Sequence, residues 1–273
     1  MILRNDRNRG FGPACNQGAR LGAAEHVLFL NPDTRVAPDS LDRPLELLSS
    51  PAGADVGALG IQLEDERGRV ARSCARFPTA TTYVAIALGL DRVSPLRSLG
   101  YRMTEWDHAE TRDVDHVMGA FYLIRRATFA AVGGFDERFF VYFEDLDLSR
   151  RVRASGKRLV YLAGPRAFHA GGGTTRAIPA RRLAYFLRGK LRYARKHERG
   201  ATLAIALLAT ALFELPARVL GGLVRGRVGE AAAAVGGFAL CPFAEPPRGA
   251  GRADENGTEP ETGAEDRREA ARA

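Results

Sequence analysis

The sequence predicts an α/β fold, in which the buried strands of a sheet are joined by helices. The run HVLFL at His26–Leu30 is short and continuously apolar, as expected of a buried parallel strand. A helix capped by Asp39 and ending near Ser49 follows it, and Val56–Leu63 is predicted to be the next strand. The order strand, helix, strand is that of α/β architectures.

Length and composition predict a globular protein of one or two domains. The chain has 273 residues, of which 45% are hydrophobic and 26% are charged, which is enough for a proper core and ordinary for a soluble protein. Its three cysteines are far apart and odd in number, so no disulfide framework or zinc spacing follows. A reduced, cytosol-facing location fits best. The first residues contain no apolar run typical of a signal peptide.

The charge of the chain is positive and unevenly distributed. The net charge is +8, but residues 245–273 contain eight acids and five arginines, a net −3, so the rest of the chain carries +11. This excess favours an anionic partner such as a nucleotide, a pyrophosphate, an acidic lipid or a nucleic acid. Nearly all of it is arginine, which suits bidentate contacts with phosphate. Nucleic acid is not expected as a partner, because no recognised reader motif is present.

The stretch Gly133–Arg151 combines acidic and aromatic side chains. Its five acids lie among four phenylalanines and one tyrosine, and charged groups beside such rings must reach water or have partners. A helix is predicted from Asp145 to Ser155, which places Glu144 and Asp145 at an N-terminus, where backbone N–H groups favour negative charge. A carboxylate there is either a general base or an acidic cap on a surface helix, and the residues alone leave both open.

Three further positions lie in or beyond predicted strands and carry candidate chemistry. Asp33 follows HVLFL within Asn-Pro-Asp, which is either a β-turn or a place to hold a divalent metal through oxygen. His169 precedes three glycines, where it is either a packed side chain or a ligand. Gly119, in the strand-like segment Asp115–Ile124, would let a ligand approach the backbone closely.

Two segments nearer the C-terminus predict contact with a membrane. Arg176–Arg199 contains nine Arg or Lys residues and one acid, and Ala201–Leu215 is almost entirely apolar. A basic stretch followed by an apolar one suits a helix lying in, or dipping into, an anionic membrane surface, whereas the basic part alone also fits a solvated helix. From Pro242 onward the chain is polar and is predicted to be disordered.

Four motifs, in this order, carry a resemblance to a known family. They are NRGFGPACNQG (8–18), VLFLNPDT (27–34), GGFDERFFVYFEDLDLSRRVRASG (133–156) and LVYLAGPRAFHAGGGT (159–174). Together they resemble the inverting family 2 glycosyltransferases, in particular the bacterial rhamnosyltransferases of cell-wall and O-antigen assembly. The resemblance covers the chain from about Asn8 to Lys196, and its specificity comes from the order and spacing of the motifs.

The resemblance implies a GT-A fold, an α/β architecture whose mixed, mainly parallel sheet is flanked by helices and binds a sugar nucleotide at its strand ends. Residues 1–175 would form this transferase domain, residues 176–241 a membrane-peripheral segment of basic and apolar helices, and residues 242–273 a disordered tail. Family members normally have a strand-helix-strand unit before the NxGF motif, which here begins at Asn8. We therefore expect that unit to be absent, one sheet edge to be unpaired and nucleotide binding to be impaired.

The resemblance also implies the catalytic roles. Asp145 would be the general base, and Glu144 would support it or contact the acceptor. Asp33, with Asn31 beside it, would hold a divalent metal, Mg²⁺ or Mn²⁺, and His169 would contribute to the metal site. The first acid of the usual Asp-X-Asp is Asn31 here, which weakens the expected metal binding.

The implied reaction moves a sugar, with rhamnose as a candidate, from a dTDP- or UDP-sugar to a polyprenyl-diphosphate-linked or other cell-envelope glycan. The enzyme would lie on the cytoplasmic side of the plasma membrane as a peripheral protein bound to the anionic surface. The alternative is an inactive, truncated domain that binds the membrane or a partner. The nucleotide sugar would contact Asn8, Gly10, Phe11, Asn16, Asn31 and Asp33, and the acceptor would contact Gly119 and Asp147.

Overall fold

A computed structural model describes residues 2–171 and 179–239 of the chain. The predicted disordered tail at 242–273 lies outside the described residues. Eight strands in this part form one large and one small sheet. The strands are β1 (His26–Leu30), β2 (Thr34–Val36), β3 (Val56–Glu64), β4 (Cys74–Ala75), β5 (Arg112–Val114), β6 (His116–Val117), β7 (Phe121–Arg125) and β8 (Arg158–His169).

Helices flank the large sheet and form most of the chain after β8. They are α1 (Phe11–Arg20), α2 (Asp42–Ser49), α3 (Ala80–Leu88), α4 (Arg126–Ala131), α5 (Glu144–Ala154), α6 (Pro179–His197), α7 (Gly200–Ala209), α8 (Leu215–Val224) and α9 (Val228–Ala239). A π-helical turn at Thr210–Glu214 joins α7 to α8, so that Gly200–Val224 is one continuous helix.

The large sheet is mixed, as predicted, but it is not mainly parallel. Its strand order is β1-β7-β3-β8-β2, and β5 also pairs with β8. Among the described strands only β3 and β8 pair in parallel, and the other pairings are antiparallel. The prediction is wrong on this point because β7 runs in the opposite direction between β1 and β3. Strand β1 lies at one edge of this sheet and pairs only with β7 within the described residues.

Strand β7 contributes to the core on both faces of the sheet. Tyr122 belongs to a buried cluster that includes Leu148 of α5, whereas Leu123 belongs to a second cluster that includes Leu48 of α2. This alternation follows from the two-residue period of a strand. Each fully buried leucine contributes about 1.5–3 kcal/mol to stability. Helices α5 and α2 therefore pack on opposite faces of the sheet, and α5 is held there by its apolar side.

The segment predicted as basic and apolar helices is helical throughout its described part and packs against the rest of the chain. Tyr193 of α6 is buried against Phe143, just before α5. Tyr83 of α3 is buried against Ala206 of α7. Helix α6 therefore packs against the segment just before α5, and helix α7 packs against α3.

Candidate active site

Asp33 and His169 lie side by side at the end of the large sheet. Thr34, the first residue of β2, pairs with His169, the last residue of β8. The backbone N–H of Ala170 donates to the carbonyl of Asp33 at 3.1 Å. These contacts bring Asp33 Oδ1 to 3.4 Å from His169 Nε2. The structure thus brings together two residues that the sequence placed in one site.

The residues Gly119 and Ala120, just before β7, connect this pair to Asp145. The carbonyl of Ala120 accepts hydrogen bonds from the Asn31 N–H at 3.2 Å and from the Thr34 hydroxyl at 3.1 Å. The backbone N–H of the neighbouring Gly119 donates to Asp145 Oδ2 at 2.9 Å. The backbones of two consecutive residues therefore hold the Asp33 turn and the Asp145 carboxylate, which places both near the start of β7.

Gly119 leaves little room for a side chain beside Asp145. A Cβ atom at this position would lie 3.3 Å from Asp145 Oδ2 and 3.5 Å from Phe11 Cε1. The sequence predicted that a ligand would come close to the backbone here. In the structure Asp145 and Phe11 make the close approach, so Gly119 positions the carboxylate rather than exposing its own backbone to an acceptor.

A left-handed turn places Glu144 and Asp145 at the start of α5. Tyr142 and Phe143 both have positive φ angles, 68° and 69°, and such non-glycine residues cost about 1–3 kcal/mol each. Phe143 is buried against Phe186 of α6, which holds the turn. Helix α5 then presents its first residues with the N–H groups of its first turn, which favour negative charge.

Glu144 and Asp145 are adjacent but lie in different environments. Glu144 is buried, its Oε2 atom has no hydrogen-bond partner among the described residues, and burial, followed by the charge of Asp145, raises its pKa well above the usual value. Burial is also the main cause that raises the pKa of the Cys15 thiol to about 12. The side chain of Asp145 is 19% exposed. Glu144, as a neutral acid, is therefore placed to support Asp145. The partly exposed side chain of Asp145 can reach an acceptor.

Asp147 is not placed to bind an acceptor, in contrast to the prediction. Its side chain is fully buried, and its oxygens lie 2.6 Å from Lys196 Nζ, 2.7 Å from His197 Nε2 and 2.7 Å from Arg151 Nη2. Burial opposes ionisation, but the His197 hydrogen bond and the charges of Arg151 and Lys196 outweigh it, so the pKa of Asp147 lies below its usual value. Asp147 instead ties α5 to the end of α6.

The Asn8–Phe11 turn lies beside the same loop. Asn8 Oδ1 accepts from the Gly10 N–H at 3.0 Å, and the Phe11 N–H donates to the carbonyl of Phe140 at 3.0 Å. Gly10 has a φ of +96°, and a Cβ there would lie 2.4 Å from the Phe140 carbonyl oxygen. The turn is therefore packed directly onto the loop that leads to Glu144.

Asn16, predicted to line the nucleotide pocket, has a structural role in α1. Its amide nitrogen donates to the Phe135 carbonyl at 2.9 Å and to Glu137 Oε1 at 3.0 Å. Its amide oxygen accepts from the Phe135 N–H at 2.9 Å. Both of its donor hydrogens are used and the side chain is buried, so the prediction of a nucleotide contact is corrected: Asn16 holds the acidic loop onto α1.

The Asp33 and His169 pair fits a divalent cation. His169 Nε2 is buried without a hydrogen-bond partner among the described residues and faces Asp33 Oδ1. A carboxylate oxygen and an imidazole nitrogen so placed can bind the same ion. Within residues 2–171 and 179–239, no group of three or more His, Cys, Asp or Glu side chains could hold a metal. The remaining ligands would therefore be oxygens of a diphosphate and of water.

The sequence analysis missed a buried histidine next to Asp145. His116 on β6 has its Nε2 atom 3.7 Å from Asp145 Oδ2, and its Nδ1 atom lies 2.9 Å from the hydroxyl of Ser149 on α5. The only signal in the sequence is a polar residue within the strand-like run that contains Gly119. Nothing in that run indicates that the side chain points towards α5.

Comparison with known proteins identifies the class of the chain. Residues 26–243 match the profile of the glycosyl transferases, family group 2. Because this match covers most of the chain, the chain belongs to that family. The resemblance inferred from the four motifs is confirmed, and with it the GT-A class of the fold.

Bacterial rhamnosyltransferases are among the similar proteins. The chain is 32% identical over 195 residues to an N-acetylglucosaminyl-diphospho-decaprenol L-rhamnosyltransferase of Mycobacterium tuberculosis, covering 67% of this chain and 62% of the relative. It is 29% identical over 170 residues to the rhamnosyltransferase WbbL of Escherichia coli, covering 62% and 61%. The chain thus spans about three fifths of the length of these relatives. Among solved structures, the mannosyltransferase PcManGT of Pyrobaculum calidifontis, in complex with GDP-Man and Mn²⁺, has a TM-score of 0.47 at 18% identity over 89% of this chain and 69% of that chain.

We expect Gly189→Ala to destabilise the turn before Glu144. Gly189 of α6 packs on this turn, and a Cβ there would lie 2.6 Å from the carbonyl oxygen of Tyr142. Overpacking of this kind costs about 1–3 kcal/mol. Gly236→Ala on α9 is the matched control, since a Cβ there meets nothing within 4 Å and alanine favours a helix by up to about 1 kcal/mol. Urea unfolding measures both, and equal stability of the two variants would contradict this packing.

Proposed function

We propose that the protein transfers a sugar from a nucleotide-diphospho-sugar to an acceptor hydroxyl with inversion of the anomeric configuration, and that Asp145 is the general base. The observation that carries the proposal is the bridge through Gly119 and Ala120, which sets the Asp145 carboxylate beside the turn that bears Asp33. A single displacement needs a general base beside the residues that would bind the diphosphate of the donor, here Asp33 and His169.

The reaction would proceed in one step. Asp145 takes the proton from the acceptor hydroxyl, and the oxygen forms a bond to the anomeric carbon from the face opposite the nucleotide. The bond between that carbon and the diphosphate breaks, and its electron pair leaves with the nucleotide diphosphate. Because one displacement inverts the centre, no protein nucleophile is required. A divalent metal bound by Asp33 and His169 would stabilise negative charge on the diphosphate.

The neighbours of Asp145 suit it to this task. The Gly119 N–H holds Oδ2 at 2.9 Å and the Leu146 N–H holds Oδ1 at 2.8 Å, so the carboxylate is oriented before an acceptor arrives. Glu144 is buried, and burial followed by the charge of Asp145 raises its pKa and favours its neutral form, which lessens the repulsion between the two adjacent carboxyl groups. Two carboxyl groups in unlike environments commonly take distinct roles in acid–base chemistry.

The relatives suggest a donor and an acceptor. Two of them are named rhamnosyltransferases, and one of these names an N-acetylglucosaminyl-diphospho-decaprenol acceptor. We therefore propose a dTDP- or UDP-sugar donor, with dTDP-rhamnose as the first candidate, and a polyprenyl-diphosphate-linked acceptor. The net charge of +11 outside residues 245–273 favours substrates that carry diphosphates.

Replacement of Asp145 by Asn should lower kcat by roughly 10²- to 10⁴-fold, because the amide cannot accept the proton. Release of nucleotide diphosphate from dTDP-rhamnose or UDP-sugars, in the presence of a polyprenyl-diphosphate-linked N-acetylglucosamine, measures the rate. Asp113→Asn is the control, since Asp113 is an exposed acid of β5 paired with Arg158. Unchanged turnover in Asp145→Asn would exclude Asp145 as the base. A folded wild-type protein that turns over none of these donors would favour the binding-module alternative.

His169→Ala should weaken Mn²⁺ binding roughly 10- to 100-fold when measured by electron paramagnetic resonance in the presence of a nucleoside diphosphate. The reason is that one of two protein ligands is lost. His26→Ala is the matched control, because His26 begins β1 at the end opposite Asn31 and its Nε2 is also buried without a hydrogen-bond partner among the described residues. Equal Mn²⁺ affinity of the two variants would argue against a metal at Asp33 and His169.

We further propose that the C-terminal helices bind peripherally to an anionic membrane. Gly200–Val224 is long and apolar enough to cross a membrane, and most of it is not buried. Basic residues of α6, including Arg181, Arg182 and Arg195, are exposed, and anionic lipid attracts such side chains. The exposed apolar residues of the helix are Leu208, Leu212, Phe213, Leu220, Leu223 and Val224.

A buried charge cluster favours a helix that lies along the domain rather than one that spans the bilayer. Glu214, in the middle of Gly200–Val224, is buried and paired with Lys190 of α6, and Arg218 lies 2.7 Å from the same carboxylate. Breaking a buried pair by removing one partner costs about 3–5 kcal/mol. Moving this helix away from α6 and into hydrocarbon would separate Glu214 from Lys190, which makes peripheral binding the better proposal.

The double variant Leu212→Glu with Phe213→Glu should bind phosphatidylglycerol vesicles at least tenfold more weakly than the wild type, since two exposed apolar contacts are lost. Co-sedimentation measures the binding, which should also fall at high salt. Leu45→Glu is the control, because Leu45 is an exposed leucine of α2 outside these helices. Wild-type binding by the double variant, or resistance of the wild-type protein to alkaline extraction, would contradict peripheral attachment through this surface.

A further inference from the structure

Behind Asp145 lies a connected line of buried polar groups that runs into the core. The hydroxyl of Tyr122 on β7 lies 3.2 Å from the hydroxyl of Ser149 on α5. The Ser149 hydroxyl lies 2.9 Å from Nδ1 of His116 on β6, and His116 Nε2 lies 3.7 Å from Asp145 Oδ2. Tyr122, Ser149 and His116 are all buried. Buried polar groups keep such contacts because leaving one unpaired is costly.

The surroundings keep the His116 ring neutral. Burial lowers its pKa, the charges of Asp145 and Asp115 oppose this effect, and Arg102 adds to it. The other polar groups that face the ring are the backbone of Asp145, whose hydrogen bond also opposes the lowering of the pKa, and the hydroxyls of Ser149 and, beyond it, Tyr122. A neutral imidazole has one N–H, so the identity of the protonated nitrogen decides what Asp145 meets.

The Asp145 carboxylate selects the nitrogen that carries the ring proton. Its Oδ2 atom faces His116 Nε2, and an ionised carboxylate only accepts, so a neutral ring meets it favourably with the proton on Nε2. Nδ1 is then the acceptor for the Ser149 hydroxyl. The Tyr122 hydroxyl, which stays protonated because burial raises its pKa, can donate to Ser149 in turn.

We propose that His116 is a positioning residue for Asp145: its neutral ring, with the proton on Nε2, fixes the orientation of the carboxylate and favours its ionised form. The proposal rests on the proposed function of Asp145 as base. Asp145 Oδ2 then has the Gly119 N–H on one side and the His116 N–H on the other, and Oδ1 has the Leu146 N–H. At 3.7 Å the contact with His116 is electrostatic, and it would shorten when an acceptor closes the site.

Kinetics of the variants His116→Leu and His116→Gln test the proposal in the otherwise unchanged protein. Leu removes the N–H and fills the volume, whereas Gln keeps a side-chain N–H. His116→Leu should lower kcat roughly 10- to 100-fold, leave the donor KM within about twofold, and move the acidic limb of the kcat pH profile to higher pH, because a donor to the ionised carboxylate is lost. His116→Gln should restore much of kcat and return the acidic limb of the pH profile towards its wild-type position. Ser149→Ala, which leaves β6 unchanged, should shift the limb in the same direction.

Asp145→Asn, measured in parallel, separates the failure of this proposal from the failure of the proposed function. If Asp145→Asn loses turnover while His116→Leu keeps kcat and the acidic limb of the wild type, His116 is a packing residue and the proposed function stands. If Asp145→Asn turns over like the wild type, the proposed function fails. A loss in His116→Leu that His116→Gln does not relieve, with an unmoved acidic limb, also overturns the positioning role.

Nitrogen-15 NMR of histidine-labelled protein tests the ring directly and needs no turnover. The signal lost in His116→Gln identifies His116 among the five histidines. We expect a neutral ring protonated on Nε2 at neutral pH in the wild type, and a mixture of the two neutral forms in Ser149→Ala. A charged ring, or a proton on Nδ1 in the wild type, would overturn the proposal.

Discussion

The structure of the site depends on the two peptide groups at Gly119 and Ala120. One donates to Asp145 and the other accepts from the turn that carries Asp33. This short link connects the end of β1 with the start of α5, which lie more than a hundred residues apart in the chain. A Cβ atom at position 119 would lie 3.3 Å from Asp145 Oδ2, so a side chain there would be tight against the carboxylate.

A second constraint acts on the left-handed turn that precedes Glu144 and Asp145, and it comes from helix α6. Two successive left-handed residues, Tyr142 and Phe143, precede Glu144, and such strain persists only where the surroundings fix it. Helix α6 supplies much of that support, through Phe186 against Phe143 and through its ionic contacts with Asp147. The same helix carries basic residues proposed to face the membrane. Helix α6 would therefore both bind lipid and support the position of the general base.

The sequence predicted the family, the mixed sheet and the proximity of Asp33 to His169, because the motifs name residues at the ends of elements. It did not predict what surrounds them. The opposite direction of β7 and the burial of Asp147 depend on long-range packing that no local pattern encodes. Asn16 looked like a pocket residue because it lies in the motif NRGFGPACNQG, yet its amide is used within the fold. His116 was missed since one histidine in an apolar run gives no sign of its direction.

The central claim is that Asp33, His169 and Asp145 face one binding site for a nucleoside diphosphate. A crystal structure of the protein with Mn²⁺ and dTDP or UDP tests it most directly. The account predicts that Mn²⁺ binds the Asp33 carboxylate and His169 Nε2, with the terminal phosphate on the side of Asp145. A nucleotide bound elsewhere, or Mn²⁺ without contact to either Asp33 or His169, would contradict it.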